Sequence, residues 1–351
     1  LCEMKVLVLL AIFALTASAA PLDDEDDNGR VSGENGWYVP QLDGSLVWMS
    51  TEEGENLLAE YEKKEEMEGR ALSLSPVTYY LYTKSNHYDA QKITANKKTI
   101  SNSHFDADHP TRFLIHGWTQ GYEADMNTQI RDAWLSHGDY NIIVVDWGRA
   151  RSVEYVSSVA AVPGVGKKVA GMIDYMVSNN GLNLDTLEVI GHSLGAQVAG
   201  YVGKNVGAGK IHGIVGLDPA LPLFSYDKPN KRLNSDDAHY VESIQTNGGK
   251  LGFLKPIGKG AFYPNGGKKQ PGCGTDLTGS CSHARSCIYY AEAVRENNFP
   301  SMRCGDYEDA VKKDCGGQYS GVKMGAVYNY EFVSGDYYVP VRSTAPYGYG
   351  S

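Results

Sequence analysis

Gly191-His192-Ser193-Leu194-Gly195 combines residue types and spacing that suit nucleophilic catalysis. The apolar run Leu187-Glu188-Val189-Ile190 precedes it and reads as a buried strand, and Ala196 to Val202 follows and reads as a helix. Strand, sharp turn and helix form a nucleophile elbow, which holds a serine hydroxyl exposed on a strained tip. Glycines on either side let neighbouring backbone pass without a Cβ clash. Ser193 then reads as a covalent nucleophile, which makes the chain a hydrolase. In a chain with 40 glycines the pentapeptide also arises as a plain strand-to-helix connection. The reading therefore depends on finding its partners.

Those partners are an acid, a histidine and two N–H donors, with the acid and then the histidine following the serine in an α/β-hydrolase. Asp218 ends the apolar strand before Pro219 and is the acid. Asp146 also ends a strand but precedes the serine, and Asp236 and Asp237 sit in a polar turn. Of the two histidines after Asp218, His239 borders a strand and reads as a surface residue. His283 reads as a loop residue ahead of a helix from Tyr289, where a loop can carry the imidazole to the serine. His283 would take the Ser193 proton and return it to the leaving alcohol, while Asp218 orients the ring. The oxyanion donors are the backbone N–H groups of Leu194 and of Trp118, after the strand that ends at Ile115-His116-Gly117. One such donor contributes ~3 kcal/mol of transition-state stabilisation. Trp118 reads equally as a packed aromatic.

The elements that must position these residues are strands alternating with helices. Val77–Tyr82, Thr111–Ile115, Ile142–Trp147, Ile211–Leu217 and Tyr240–Ile244 read as strands, and Val165–Val177 has apolar residues at helical spacing. Buried strands separated by helices predict an α/β class with a mostly parallel sheet covered on both faces. Chemistry then collects at the carboxyl ends of the strands. Residues 246–282, rich in Gly, Lys and Pro, read as long loops.

The chain of 351 residues has a net charge of −10, and the acidity is local. Residues 20–70 carry 15 acidic and 4 basic side chains, which leaves the body near neutral, and nothing in the chain suggests nucleic-acid binding, so no nucleic-acid partner is expected. Residues 1–19 read as a leader and signal peptide: Met4-Lys5, an apolar stretch from Val6 to Ala17, then the small-x-small site Ala17-Ser18-Ala19. That stretch is too short to span a bilayer, so a secreted protein is expected. Asp23-Asp24-Glu25-Asp26-Asp27 reads as a solvated run, and Ser50-Thr51-Glu52-Glu53 as a capping box opening a charged helix. Residues 20–70 are either a propeptide cut after Arg70 or a permanent acidic arm. Residues 71–351 form the catalytic-type domain. Five cysteines lie late in the chain, an odd number, and their spacing does not fix the pairing.

Arg112-Phe113-Leu114-Ile115-His116-Gly117-Trp118, Gly191-His192-Ser193-Leu194-Gly195-Ala196, Gly216-Leu217-Asp218-Pro219-Ala220, Asp237-Ala238-His239-Tyr240-Val241, Phe262-Tyr263-Pro264-Asn265-Gly266-Gly267 and Cys281-Ser282-His283-Ala284-Arg285-Ser286 occur in this order. In them the chain resembles the pancreatic-lipase family over about 75–340, and among its members the lepidopteran gut neutral lipases. The resemblance implies an α/β-hydrolase fold, hydrolysis of lipid carboxylic esters, and the site already named: Ser193, Asp218, His283, Trp118 and Leu194. It implies a lid disulfide between Cys273 and Cys281 and a second between Cys304 and Cys315, leaving Cys287 as a thiol.

Departures from the family pattern carry the substrate expectation. Vertebrate triacylglycerol lipases have a long disulfide-closed lid and a C-terminal β-sandwich that binds colipase, and this chain is expected to have neither, hence no colipase partner. The loop Gly274 to Ser280 and the stretch Asn247 to Ala261 are short, as in phospholipase A1 members. A short lid leaves room for a bulky polar headgroup, so phospholipid or galactolipid is the expected substrate, with triacylglycerol the alternative. A binding or storage protein on the same fold is the rival of another class. The expected setting is the gut lumen, and the partner is lipid at a micelle or membrane interface. The 24 tyrosines against 8 phenylalanines suit such an interface. Family members hold calcium near Arg232 to Asp237. Arg232, Asn234 and Asp237 are therefore weak candidates, but Pro229 and Asn234 stand where acidic ligands are expected. No cofactor is required for the chemistry.

Overall fold

The computed structural model describes residues 29–71, 76–327, 329 and 332–350. The signal-peptide and Asp23–Asp27 readings lie outside them. The described chain opens with the strands β1 (Gly36–Pro40) and β2 (Leu46–Ser50), then helix α1 (Thr51–Ala71). It continues through β3 (Val77–Tyr82), β4 (Gln91–Ile93), α2 (Lys97–Ser101), β5 (Thr111–Ile115), α3 (Asp125–His137) and β6 (Asn141–Trp147). Next come α4 (Tyr155–Asn180), β7 (Glu188–His192), α5 (Leu194–Asn205), β8 (Gly213–Leu217), β9 (Tyr240–Ile244) and β10 (Gly260–Pro264). The last are α6 (Ser280–Glu296), β11 (Met302–Arg303), α7 (Tyr307–Lys312) and β12 (Gly335–Val339).

Ten strands form one sheet in the order β11-β12-β10-β9-β8-β7-β5-β6-β3-β4. From β12 to β6 every neighbouring pair is parallel, and β3, β4 and β11 add antiparallel edges. The apolar runs of β5, β7 and β8 are buried along their whole length, as strands covered on both faces must be. Side chains alternate between the two layers. Phe113 and Ile115 pack with α4 and α5 residues such as Val169 and Val198, while Leu114 packs with Ile130 of α3 and Tyr289 of α6. This is the α/β-hydrolase arrangement, a mostly parallel sheet with helices on both faces.

The acidic N-terminal segment is more structured than its charge implies. β1 and β2 pair as an antiparallel hairpin with Gly36 opposite Ser50 and Pro40 opposite Leu46. Trp37 and Val39 are buried in the main core, and the Trp37 indole donates to the Phe224 carbonyl at 3.2 Å. The expected capping box opens α1: Glu53 N–H donates to Ser50 Oγ and Ser50 N–H to the Glu53 carboxylate. Leu57, Leu58 and Tyr61 supply its apolar stripe and pack on the core. Arg149 and Lys228 pair with Glu65 and Glu55 on its charged side.

Candidate active site

The elbow follows from crowding. Ser193 joins β7 to α5 with φ 57° and ψ −122°, a conformation in which an L side chain persists only where its surroundings over-determine it. A Cβ on Gly195 would lie 2.0 Å from the Ile115 carbonyl oxygen, and one on Gly191 would lie 2.2 Å from that of Gly195. Only glycine permits β5, β7 and α5 to meet so closely. Ser193 is therefore held at the carboxyl end of the central strands, with its N–H donated to Leu217 O of β8.

Asp218 stands one residue beyond β8 and is fully buried. Its Oδ1 accepts from the N–H groups of Thr246 (2.6 Å) and Asn247 (2.9 Å), just past the end of β9. Its Oδ2 lies 2.5 Å from His283 Nδ1. A carboxylate with one oxygen tied to backbone donors presents the other in a fixed direction. The packing is close: a Cβ on Gly252 would lie 2.4 Å from Asp218 Oδ1.

His283 lies in the first turn of α6 and not in a loop. The polar run Ser280-Cys281-Ser282-His283 carries no apolar periodicity, and the N-cap is Gly279 without a side-chain cap, so the sequence gives no start signal. Ser282 N–H and Cys281 N–H instead donate to Asp276, which anchors this helix start to the disulfide-closed loop. A helix fixes the imidazole more firmly than a loop would. His192 adds a second brace that sequence reading missed. Its ring lies 4.5 Å from that of His283, with Nε2 3.3 Å from the His283 carbonyl. Burial, and then the neighbouring His283, hold the His192 pKa well below the usual histidine value, so it is neutral at neutral pH.

The turn after β5 is pinned from several sides. Gly117 N–H donates to Gln120 Oε1, Thr119 N–H to Ala150 O, and the Trp118 indole to Ser152 O. His116, fully buried, contacts Asp146 at 3.2 Å, and Arg151 binds the same carboxylate at 2.7 Å. Burial alone would raise the Asp146 pKa, but these hydrogen bonds bring it to about 2. Asp146 thus serves the turn and not the histidine of the site. Trp118 is also a packed aromatic, edge-on to Tyr155 at 5.4 Å.

Ser193 and His283 line one cavity of about 310 Å³, together with Trp118, Tyr155, Pro222 and Leu251. Leu42 and Leu46 of the N-terminal hairpin line it as well. His239 is exposed and outside it. Cys273–Cys281 and Cys304–Cys315 are disulfides, and Cys287 is a buried free thiol. Two disulfides fit folding in an oxidising, extracellular-type compartment.

The family model described as Lipase matches residues 44–347. The chain belongs to the lipase family. It is 34% identical over 260 residues to pancreatic triacylglycerol lipase of Oryctolagus cuniculus, covering 68% of this chain and 56% of the relative. It is 37% identical over 250 residues to lipase member H-A of Xenopus laevis, covering 68% and 54%. It is 33% identical over 261 residues to pancreatic lipase-related protein 2 of Homo sapiens, covering 68% and 55%. The chain thus spans about half the length of the curated relatives it matches.

In this lipase-family chain the calcium candidates do not fit a metal ion. Lys204 Nζ lies 2.7 Å from the Arg232 carbonyl oxygen and 2.5 and 2.6 Å from the two Asp237 carboxylate oxygens. The oxygens a cation would need are taken by an ammonium on α5. Asn234 contributes its N–H to Asp237 at 2.9 Å, a donor where a ligand is required. Among the described residues no group of three His, Cys, Asp or Glu side chains is placed to hold a metal ion.

Proposed function

We propose that the chain hydrolyses carboxylic esters of lipids, with Ser193 as nucleophile, His283 as general base and then acid, and Asp218 as the orienting carboxylate. The observation that carries this reading is the contact of buried Asp218 with His283, whose ring lines the cavity that also holds the elbow serine. His283 Nδ1–H is directed at Asp218, which leaves Nε2 as the base for the Ser193 hydroxyl. Attack on the ester carbonyl gives a tetrahedral oxyanion, met by the N–H groups of Leu194 and Trp118. Leu194 is the first residue of α5, where a helix leaves its N–H groups unpaired. The protonated imidazole then gives its proton to the leaving alcohol, and water repeats the sequence on the acyl-enzyme.

Polar lipids are the proposed substrates, in a phospholipase A1 or galactolipase manner, at a micelle or membrane surface in a secreted, gut-lumen setting. The short span between Cys273 and Cys281, eight positions apart, supports this by leaving little loop to exclude a headgroup. Phosphatidylcholine, monogalactosyl diacylglycerol and trioleoylglycerol offered to the same preparation test it. Faster release from the polar lipids, at the sn-1 position, is expected, and Ser193→Ala abolishes all three. Faster turnover of trioleoylglycerol, or release at sn-2 alone, overturns the substrate assignment. Turnover that survives Ser193→Ala overturns the mechanism.

A further inference from the structure

The hairpin β1–β2 lies more than 140 residues before the elbow in sequence, yet its tip reaches the cavity that holds Ser193. Pro40 and Leu46, its last cross-strand pair, line that cavity with Gln41, Leu42 and Gly44 of the turn. The tip is held rigidly. Gln41 N–H donates to Ser45 O, Gly44 N–H to Gln41 O, and Asp43 accepts from both the N–H and the hydroxyl of Ser45. Its base is anchored by Trp37 and Val39 in the core and by the Trp37–Phe224 hydrogen bond. Yet Leu42 remains 56% exposed. A rigid hairpin has no need of a half-exposed leucine beside a catalytic cavity for its own stability. The cavity it borders is otherwise apolar on the Trp118, Tyr155, Pro222 and Leu251 side.

We propose that the β1–β2 hairpin is a wall of the acyl-chain site, with Leu42 and Leu46 as the side chains that contact the substrate's hydrocarbon chain. The inference rests on the proposed ester hydrolysis at Ser193 and names what reads the length of the acyl group. Continuity of the hairpin tip with the Ser193 cavity commits the occupant to a hydrocarbon chain: Pro40, Leu42 and Leu46 offer apolar surface, and none of the cavity-lining residues of the hairpin is charged. Short acyl groups end before such a wall and long ones lie along it, so the hairpin acts on selectivity more than on the chemical step.

The test is the ratio of kcat/KM for p-nitrophenyl dodecanoate to that for p-nitrophenyl butanoate, measured on the full chain. In Leu42→Asp/Leu46→Asp the ratio is expected to fall about tenfold or more, the scale of one or two methylenes placed in or out of an apolar pocket. Leu42→Met retains the wild-type ratio. Val47→Asp puts one such charge on the same hairpin at a 50% exposed position outside the cavity, and it leaves the ratio in place. An unchanged ratio in the double variant, or an equal fall in Val47→Asp, overturns the proposal. Loss of both activities in Ser193→Ala beside an unchanged ratio in the double variant rejects the hairpin alone. Activity that survives in Ser193→Ala rejects the catalytic reading and this proposal with it.

Discussion

The ammonium of Lys204 gives the sharpest test of how the loop beside the sheet is held. Its Nζ contacts one carbonyl and both oxygens of Asp237, whose side chain is 5% exposed. Burial pulls Lys204 below the usual lysine value and pushes Asp237 above the usual aspartate value; three contacts within 2.7 Å oppose that and keep the pair ionised. Lys204→Met removes the cation and leaves a buried carboxylate with the Asn234 N–H as its remaining close donor. Breaking a buried pair from one side costs about 3–5 kcal/mol. At ~2–4 °C per kcal/mol for a chain of this order, Tm falls by roughly 10 °C. Lys204→Met/Asp237→Leu removes both charges and recovers most of the loss, because the penalty is the stranded carboxylate. Calorimetry at pH 7, with and without EDTA or millimolar calcium, measures this. Wild-type Tm should not respond to either addition. A single variant within ~2 °C of wild type, or a wild type that loses several degrees in EDTA, refutes the tethered-cation account.

Four further outcomes are expected. Asp218→Asn keeps the fold and lowers kcat by about 10⁴-fold, read on p-nitrophenyl butanoate; a loss under tenfold contradicts the assigned role. Glu242, fully buried, has its pKa raised to about 7 by burial against the opposing hydrogen bonds of Asn329, Gly325 and Tyr240. The folded state therefore keeps a proton that the unfolded chain releases near pH 4.5, and stability falls as pH rises from about 4.5 to 7; Glu242→Gln should flatten part of that slope in urea titrations. The Cys287 thiol, pushed up to about 12 by burial, should resist iodoacetamide in the native protein and react only in denaturant. If a trypsin-like enzyme cuts after Arg70, residues 29–70 should co-elute with the body on size exclusion and separate only when Trp37 and Val39 are unfolded from the core; free release under native conditions contradicts the docking.

Several parallel strands were legible because they contain apolar runs with β-branched residues: Ile142 to Val145 and Ile214 to Leu217 have no competing helical period. The elbow and Asp218 were legible for a related reason, since both stand where such a run stops. β10 and β12 were not read because Gly-Ala-Phe-Tyr-Pro and Gly-Asp-Tyr-Tyr-Val are short and sit among glycines. The hairpin escaped because charge in its surroundings outweighed two five-residue strands, although Trp37-Tyr38-Val39 alternates correctly. Local pattern also cannot report a contact made across the chain. Neither the Lys204–Asp237 pair nor the approach of Leu42 to the Ser193 cavity has a signal in the residues nearby.

The Trp37–Phe224 bond joins positions 187 residues apart. During synthesis at about 5–20 residues per second, the hairpin waits some 10–40 s for its docking surface to emerge. Over that interval Trp37 lacks its Phe224 partner, and the charged helix α1 follows it in the nascent chain. The charge concentrated in residues 20–70 thus accompanies an element that is made before the sheet that receives it.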